Sequence, residues 1–326
     1  MKVLVTGCAG LIGSHLVDNL LDEGHLVTGI DDLSYGTLNN LTNATPNQNF
    51  KFINDDVRKI NQIFRSTKFD IIYHLASIKK PWGDVIKSNT VIDTNYLMTR
   101  EIVDYSNKNN SFLIFTSTSD VYGNSKHFLE TEKITIGPPT NERYSYAMSK
   151  LISEQFIFNA ISQSKLDASV VRIFGCTSER AKPSWSAGHV PLFIYNALNN
   201  IDINIHGDGN QTRSISSAED ISRGLSSMVD YINDVKGEII NLGTDEQTTV
   251  KEVAEYIVEK TASRSKIIYT PREKVFGDYD EIQIRYANTK KAKELIDFKI
   301  NISTYEIIDS MIESYSNSNS IYYVIK

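Results

Sequence analysis

Hydrophobic positions along the chain fall into two alternating kinds of segment. Val3-Leu4-Val5 is apolar at every position and is closed by Gly7, the pattern of a strand buried on both faces. The period then changes. Ile12, Leu16 and Leu20 recur every four residues, as do Val17 and Leu21, and Gly24 follows as a stop signal, so a helix is predicted. Leu26-Val27-Thr28-Gly29-Ile30, Phe50-Lys51-Phe52-Ile53 and Ile71-Ile72-Tyr73-His74-Leu75 read as strands two to four. A long helix is predicted over about 88–108, a fifth strand at Phe112-Leu113-Ile114-Phe115-Thr116, a helix over about 144–164, and a sixth strand at Ser169-Val170-Val171-Arg172-Ile173. Strands alternating with helices predict an α/β fold built on a doubly wound parallel sheet, covered on both faces.

Composition narrows the class. The 326 residues leave room for about two domains, or for one large α/β unit with an appendage. A net charge of −6 argues against a nucleic-acid binder that rests on bulk positive charge. Two cysteines, Cys8 and Cys176, fit a reduced cytosol better than a disulfide framework. No apolar run approaches the ~20 residues of a membrane span, and the opening residues are too short and too soon interrupted for a signal peptide. The expectation is a cytoplasmic enzyme or binding protein for a small molecule, with no membrane or nucleic-acid partner and no metal.

The first chemical signal is Gly7-Cys8-Ala9-Gly10-Leu11-Ile12-Gly13, placed between the first strand and the first helix. Gly7, Gly10 and Gly13 let backbone N–H groups, with Leu11 and Ile12 at the helix start, approach a pyrophosphate with no Cβ in the way. The second strand ends at Asp31, 18 residues beyond Gly13. Its carboxylate is placed to accept hydrogen bonds from the adenosine ribose and to repel a 2′-phosphate. The turn Asp32-Leu33-Ser34-Tyr35-Gly36 offers no Arg or Lys to such a phosphate, so NAD rather than NADP is expected. Asp32, Ser34 and Gly36 are expected beside the same ribose, although Asp32 also reads as a turn residue.

The second signal follows the fifth strand. Thr116-Ser117-Thr118-Ser119-Asp120-Val121-Tyr122-Gly123 precedes Tyr146-Ala147-Met148-Ser149-Lys150, where tyrosine and lysine four apart share one helical face. An ammonium and a nicotinamide cation nearby favour tyrosinate and are expected to bring its pKa down toward neutrality. Tyr146 is then an acid/base for a substrate hydroxyl, and Thr118 orients that hydroxyl.

Together these motifs resemble the extended short-chain dehydrogenase/reductase family, within it the nucleotide-sugar epimerases and dehydratases, over nearly the whole chain. The resemblance implies a Rossmann domain from 1–174 plus 215–242 and a smaller interleaved C-terminal α/β substrate domain from 175–214 plus 243–326. It implies that Asp56 and Val57 contact adenine. Leu75, Ala76 and Lys79, within His74-Leu75-Ala76-Ser77-Ile78-Lys79, would lie beside the nicotinamide ribose, and Asn95 would brace the strand ends. Lys79, next to Lys80, stands where UDP-galactose 4-epimerases carry a lysine. His206-Gly207-Asp208-Gly209-Asn210-Gln211-Thr212-Arg213 is similar to the turn whose arginine reaches the substrate diphosphate; a bare hairpin tip is the plainer reading of it. Ser217-Ala218-Glu219-Asp220 is expected to start a helix, and Glu238–Gly243 to return a strand to the main sheet. Thr249-Val250-Lys251-Glu252 is a capping box.

Departures from the pattern bear on the reaction. Gly175 replaces an asparagine that normally binds phosphate. Trp185, in the loop 182–189, either stacks on a base or sugar or packs as a lid, and His189 reads as a polar loop residue. Ser119-Asp120 stands where dTDP-glucose dehydratases carry Asp-Glu, UDP-glucuronate decarboxylases Ser-Glu, and most epimerases small neutral residues. Asp120 is either a base for the sugar C5 proton or a loop-fixing carboxylate. Arg285 is placed to recognise a uronate carboxylate, to bind diphosphate, or to pair with Asp280 or Glu281. The expected function is an NAD-dependent 4-epimerase of a UDP-hexose. The alternatives are a 4,6-dehydratase or a UDP-glucuronate decarboxylase sharing the 4-keto intermediate, and a non-catalytic NAD-binding redox sensor. The resemblance also implies a homodimer through the helices near 88–108 and 144–164.

Overall fold

The computed structural model describes residues 1–79, 88–184, 188–276 and 282–317. Its centre is a seven-stranded sheet of β1 (Lys2–Thr6), β2 (Leu26–Asp31), β3 (Phe50–Asn54), β4 (Ile71–His74), β5 (Phe112–Thr118), β6 (Ala168–Ile173) and, returning late in the chain, β11 (Ile239–Leu242). The order is β11-β6-β5-β4-β1-β2-β3, and every pair is parallel. Between β1 and β4 the direction of winding reverses, which opens a crevice at the carboxyl ends of those strands.

The all-apolar strands are explained by what lies on each face. Side chains alternate across a strand. Val3, Val5, Ile71, Tyr73 and Ile114 join one buried cluster, with Leu16, Val17 and Leu20 of α1 (Leu11–Asp22). Leu4, Ile72, Leu113 and Phe115 join a second, opposite cluster, with Ile60 of α2 (Ile60–Ile63), Ile102 of α3 (Ser88–Asn109) and Ile157 of α4 (Ser145–Ser162). Neither face is left to water, so no polar alternation survives in the sequence.

A third apolar cluster lies apart from the sheet and gathers α5 (His189–Leu198), α8 (Val250–Lys260), α11 (Thr304–Asn317) and β8 (Ile203–His206). Shorter pieces complete the chain: β7 (Cys176–Thr177), β9 (Thr212–Arg213), β10 (Ser216–Ser217), α6 (Ala218–Ser227), α7 (Ile232–Val235), β12 (Thr248–Thr249), β13 (Ile267–Thr270), α9 (Glu273–Phe276), β14 (Ile284–Arg285) and α10 (Lys290–Ile296). Both expected helix starts are capped: Ser217 accepts from the Glu219 N–H, and Thr249 and Glu252 form a reciprocal capping box.

Two local expectations are corrected. Residues 206–213 are not a hairpin, because β8 pairs with β13 in one sheet while β9 pairs with β12 and β14 in another. His189 is not a loop residue; it is the first residue of α5.

Candidate active site

The glycine turn is shaped by contacts that admit no side chain. Gly7 has φ +70°, and a Cβ there would lie 2.8 Å from the Ala76 nitrogen; one on Gly13 would lie 2.1 Å from the Gly7 carbonyl oxygen. Helix α1 starts at this turn with Gly10 as its N-cap, no side-chain cap and no acidic residue in its first turn. An open, positively polarised helix end over a close backbone approach fits the pyrophosphate of NAD. Asp31 is buried at the end of β2, accepting from Ala9 N–H at 3.0 Å and Leu33 N–H at 2.8 Å. Burial pushes its carboxyl up, against those two hydrogen bonds.

The remaining cofactor candidates divide. Gly36 packs onto Ala9, where a Cβ would meet that of Ala9 at 2.8 Å. Asp32 is exposed and caps its own turn by accepting from Ser34 N–H at 2.9 Å. The Asp56 carboxylate is gripped by the Arg58 guanidinium, with Nε 2.9 Å away, and the Val57 side chain lies within the core. After β4, Leu75 and Ala76 donate to the backbone and hydroxyl oxygens of Thr6. Asn95 does brace this segment: its oxygen accepts from Ile78 N–H at 2.7 Å, and its nitrogen donates to the Ile78 carbonyl and the Ser149 hydroxyl, both at 2.9 Å.

At the end of β5 the chain turns sharply, and the Thr118 hydroxyl oxygen accepts from Asp120 N–H at 3.2 Å. Tyr146 lies on the first turn of α4, with the Lys79 ammonium 5.7 Å from its ring centre. Lys150 is 2 % exposed; it donates to the Thr116 carbonyl at 2.8 Å and sits 4.7 Å from the Phe115 ring centre. The chain's own groups do not by themselves bring the Tyr146 pKa down. Burial, then the Asp120 charge, pushes the Tyr146 hydroxyl up, opposed by a hydrogen bond with Ser77. Burial, limited by the Glu154 carboxylate, holds the neighbouring Lys150 down to about 7, so it carries its charge only below that pH. A fall toward neutrality therefore needs positive charge beyond what these residues supply.

Asp120 is ion-paired to Arg285. Burial works against its charge, yet Arg285, Lys79 and Arg143 together hold its carboxyl down to about 2. Asp280 and Glu281, considered as partners of Arg285, lie outside the described residues, as do Lys80 and Trp185. Arg285 on β14 is also the in-register neighbour of Arg213 on β9, so two guanidinium side chains leave one side of a small sheet together. Arg213 donates to the Thr212 carbonyl at 2.7 Å. Among the described residues the buried Nε2 of His189 meets no hydrogen-bond partner, and burial followed by the Arg213 charge holds its ring down to about 4. Gly175 has no room for the missing asparagine, since a Cβ would lie 2.2 Å from the Ser214 carbonyl oxygen.

Sequence reasoning missed the support behind these groups. Glu154, one turn beyond Lys150, pairs with Arg172 at 2.7 Å; both are almost fully buried, and Ser117 donates to the same carboxylate. The Arg172 guanidinium stacks 4.7 Å from the Tyr122 ring centre, and Tyr122 donates to Asn241 at 2.8 Å. An arginine inside β6, between Val171 and Ile173, was the available signal, because a charge is buried there only with a partner. Arg143, whose charge reaches Asp120, was also missed; it lies three residues before Tyr146.

A glycine-walled dinucleotide cradle beside a Tyr/Lys helix, at the crevice of a doubly wound sheet, defines a Rossmann-type enzyme that uses a nicotinamide cofactor. The chain belongs to the NAD dependent epimerase/dehydratase family, whose sequence profile matches residues 3–243. It is 34% identical over 308 residues to the UDP-N-acetyl-alpha-D-glucosaminuronate decarboxylase of Bacillus cytotoxicus, covering 93% of this chain and 94% of that protein. Among solved structures it is similar to Pal from Bacillus thuringiensis, with a TM-score of 0.87 and 27% identity over 97% of this chain and 99% of the other. It is also similar to the UDP-glucuronic acid 4-epimerase of Bacillus cereus in complex with UDP-glucuronic acid and NAD. There the TM-score is 0.83 and the identity 25%, over 97% of this chain and 99% of the other. Among the described residues no helix is long and apolar enough to cross a membrane.

Proposed function

We propose that the protein oxidises a UDP-linked uronic acid at C4 and releases its C6 carboxylate as carbon dioxide. The observation that supports this most is the Asp120–Arg285 pair, ringed by the charges of Lys79 and Arg143. A cationic ring at the catalytic threonine suits a substrate that brings a carboxylate of its own. A carboxyl held down to about 2 is a weak base, which argues against Asp120 as the group that removes a C5 proton in a dehydratase. The relatives named above as acting on uronates support the same substrate class.

In this reading Tyr146 takes the proton of the sugar 4-hydroxyl while Thr118 holds the hydroxyl. NAD, when bound, would supply the hydride acceptor for C4 and the positive charge that favours tyrosinate. The 4-keto group stands β to the carboxylate, so the C5–C6 electron pair moves toward the carbonyl as carbon dioxide leaves. Tyr146, now protonated, hydrogen-bonds the enolate oxygen, and C5 takes its proton from water. C4 would then regain the hydride from the bound cofactor while Tyr146 returns its proton to the C4 oxygen, leaving the UDP-pentose and the cofactor oxidised again. Arg285 orients the carboxylate, and Asp120 offsets part of its charge so that the reacting carboxylate is not held too firmly. Arg213 and His189 take the diphosphate, Lys79, Leu75 and Ala76 flank the nicotinamide, and Asp31 takes the adenosine ribose.

A second reading, the 4-epimerase, is favoured by Lys79 over the Tyr146 ring and by the neutral Ser119. Residues 1–174 plus 215–242 would hold NAD and the remainder the sugar nucleotide, in a cytoplasmic homodimer joined through α3 and α4; Ile152, 45% exposed on α4, suits such a contact. The test is incubation with UDP-glucuronate, UDP-N-acetylglucosaminuronate, UDP-glucose and UDP-N-acetylglucosamine, with products identified by NMR. A pentose product with carbon dioxide is expected from a uronate. A 4-epimer alone would transfer the assignment to the second reading.

A further inference from the structure

The wall of the adenosine-ribose site is fastened by a residue far from it in sequence. Residues 33–40 pack down on the glycine turn: Thr37 N–H and the Asn40 amide both donate to the Ala9 carbonyl, at 3.1 and 3.0 Å. From the other side of the chain, the Lys182 ammonium donates to the carbonyls of Tyr35 at 2.9 Å and Gly36 at 3.4 Å. Two residues earlier, Arg180 donates to the Asn40 carbonyl at 3.2 Å and pairs with Asp18 of α1 at 2.6 Å.

The two cations do different work. Arg180 is tied to a carboxylate on α1 and fixes the segment to the body of the fold. Lys182 grips the tip of the loop that follows Asp31, and its charge reaches the Asp31 carboxylate. For the ribose end of a dinucleotide to leave, that loop must lift, and a charge-assisted bond to two carbonyls opposes lifting. The segment carrying Lys182 leads on to α5, whose first residue, His189, lies within the field of Arg213.

We propose that Lys182 is a positioning residue that clasps the loop 33–37 over the adenosine ribose and so slows release of the dinucleotide. The inference rests on NAD as the resident cofactor. It accounts for how a cofactor that must be regenerated in place is kept through many turnovers, and the sequence alone had shown no cation near this turn.

The test compares the intact protein with Lys182→Met, which keeps the stem but removes the donor, and Lys182→Arg, which restores one. NAD content after purification and the rate of NAD loss on dilution are read by chromatography of the released nucleotide. Lys182→Met is expected to lose NAD about tenfold faster, and Lys182→Arg to stay within about threefold of the parent. Melting temperatures of the NAD-free proteins are expected to agree within about 2 °C. An unchanged loss rate in Lys182→Met overturns the proposal, as does a lowered NAD-free melting temperature with unchanged loss. A parent protein that neither carries nor binds NAD overturns the cofactor reading beneath it.

Discussion

Arg285 closes an ion pair onto Asp120 across a separation of 165 residues, joining the short β14 to the turn that follows β5. Removal of Asp120 would leave Arg285 partly buried without its carboxylate partner. Asp120→Asn should therefore free Arg285 to bind a uronate more tightly while slowing its decarboxylation, with kcat lower by about tenfold to a hundredfold and KM lower as well. Steady-state kinetics with UDP-glucuronate check this. A variant with parental kcat would mean that the pair only shapes the loop.

Tyr146→Phe keeps the ring beneath Lys79 and removes the one group placed to exchange the 4-hydroxyl proton. Turnover should fall by about 10²–10⁴-fold, with NAD content unchanged. Rapid mixing that follows nicotinamide absorbance, beside nucleotide analysis of the purified variant, separates lost chemistry from lost cofactor.

Burial holds Lys150 down to about 7, and the neighbouring Glu154 carboxylate limits that fall. Below this value the ammonium is charged and assists tyrosinate; above it the charge is lost, so kcat should decline as pH rises through about 7. Glu154→Gln removes the opposing carboxylate and should move this alkaline limb to lower pH. It also strands Arg172, at a cost of about 3–5 kcal/mol in stability. The kcat–pH profile and a denaturant titration read the two effects separately.

Gly175→Asn would restore the family's phosphate-binding side chain, but its Cβ would lie 2.2 Å from the Ser214 carbonyl oxygen. The substitution should destabilise the fold by about 1–3 kcal/mol and weaken binding of the sugar nucleotide. Calorimetric melting of the variant is the check.

Legibility in the sequence followed the range of the interactions. The six strands of the first half and the glycine turn were readable, because apolar runs and local spacing carry that information themselves. Tyr146, Lys150, Thr118 and Asn95 could be picked out for the same reason, each lying in a short motif. What escaped was set by distance along the chain. The partner of Asp120 lies on β14, the partner of Glu154 lies inside β6, and the cation that bonds the loop after Asp31 is Lys182. The expected drop in tyrosine pKa likewise depends on more than its own motif. The chain's own charges around Tyr146 include the negative Asp120, and Lys150 faces a carbonyl and an aromatic ring.

The in-register placement of Arg213 beside Arg285 has an evolutionary corollary. In a two-residue strand, side-chain direction depends on the count of residues leading into it, so inserting or deleting one residue ahead of β14 would turn Arg285 to the far side and present Ile284 or Tyr286 instead. On the uronate reading, a change of segment length here would alter the charge presented to the sugar while leaving Tyr146 and Thr118 in place.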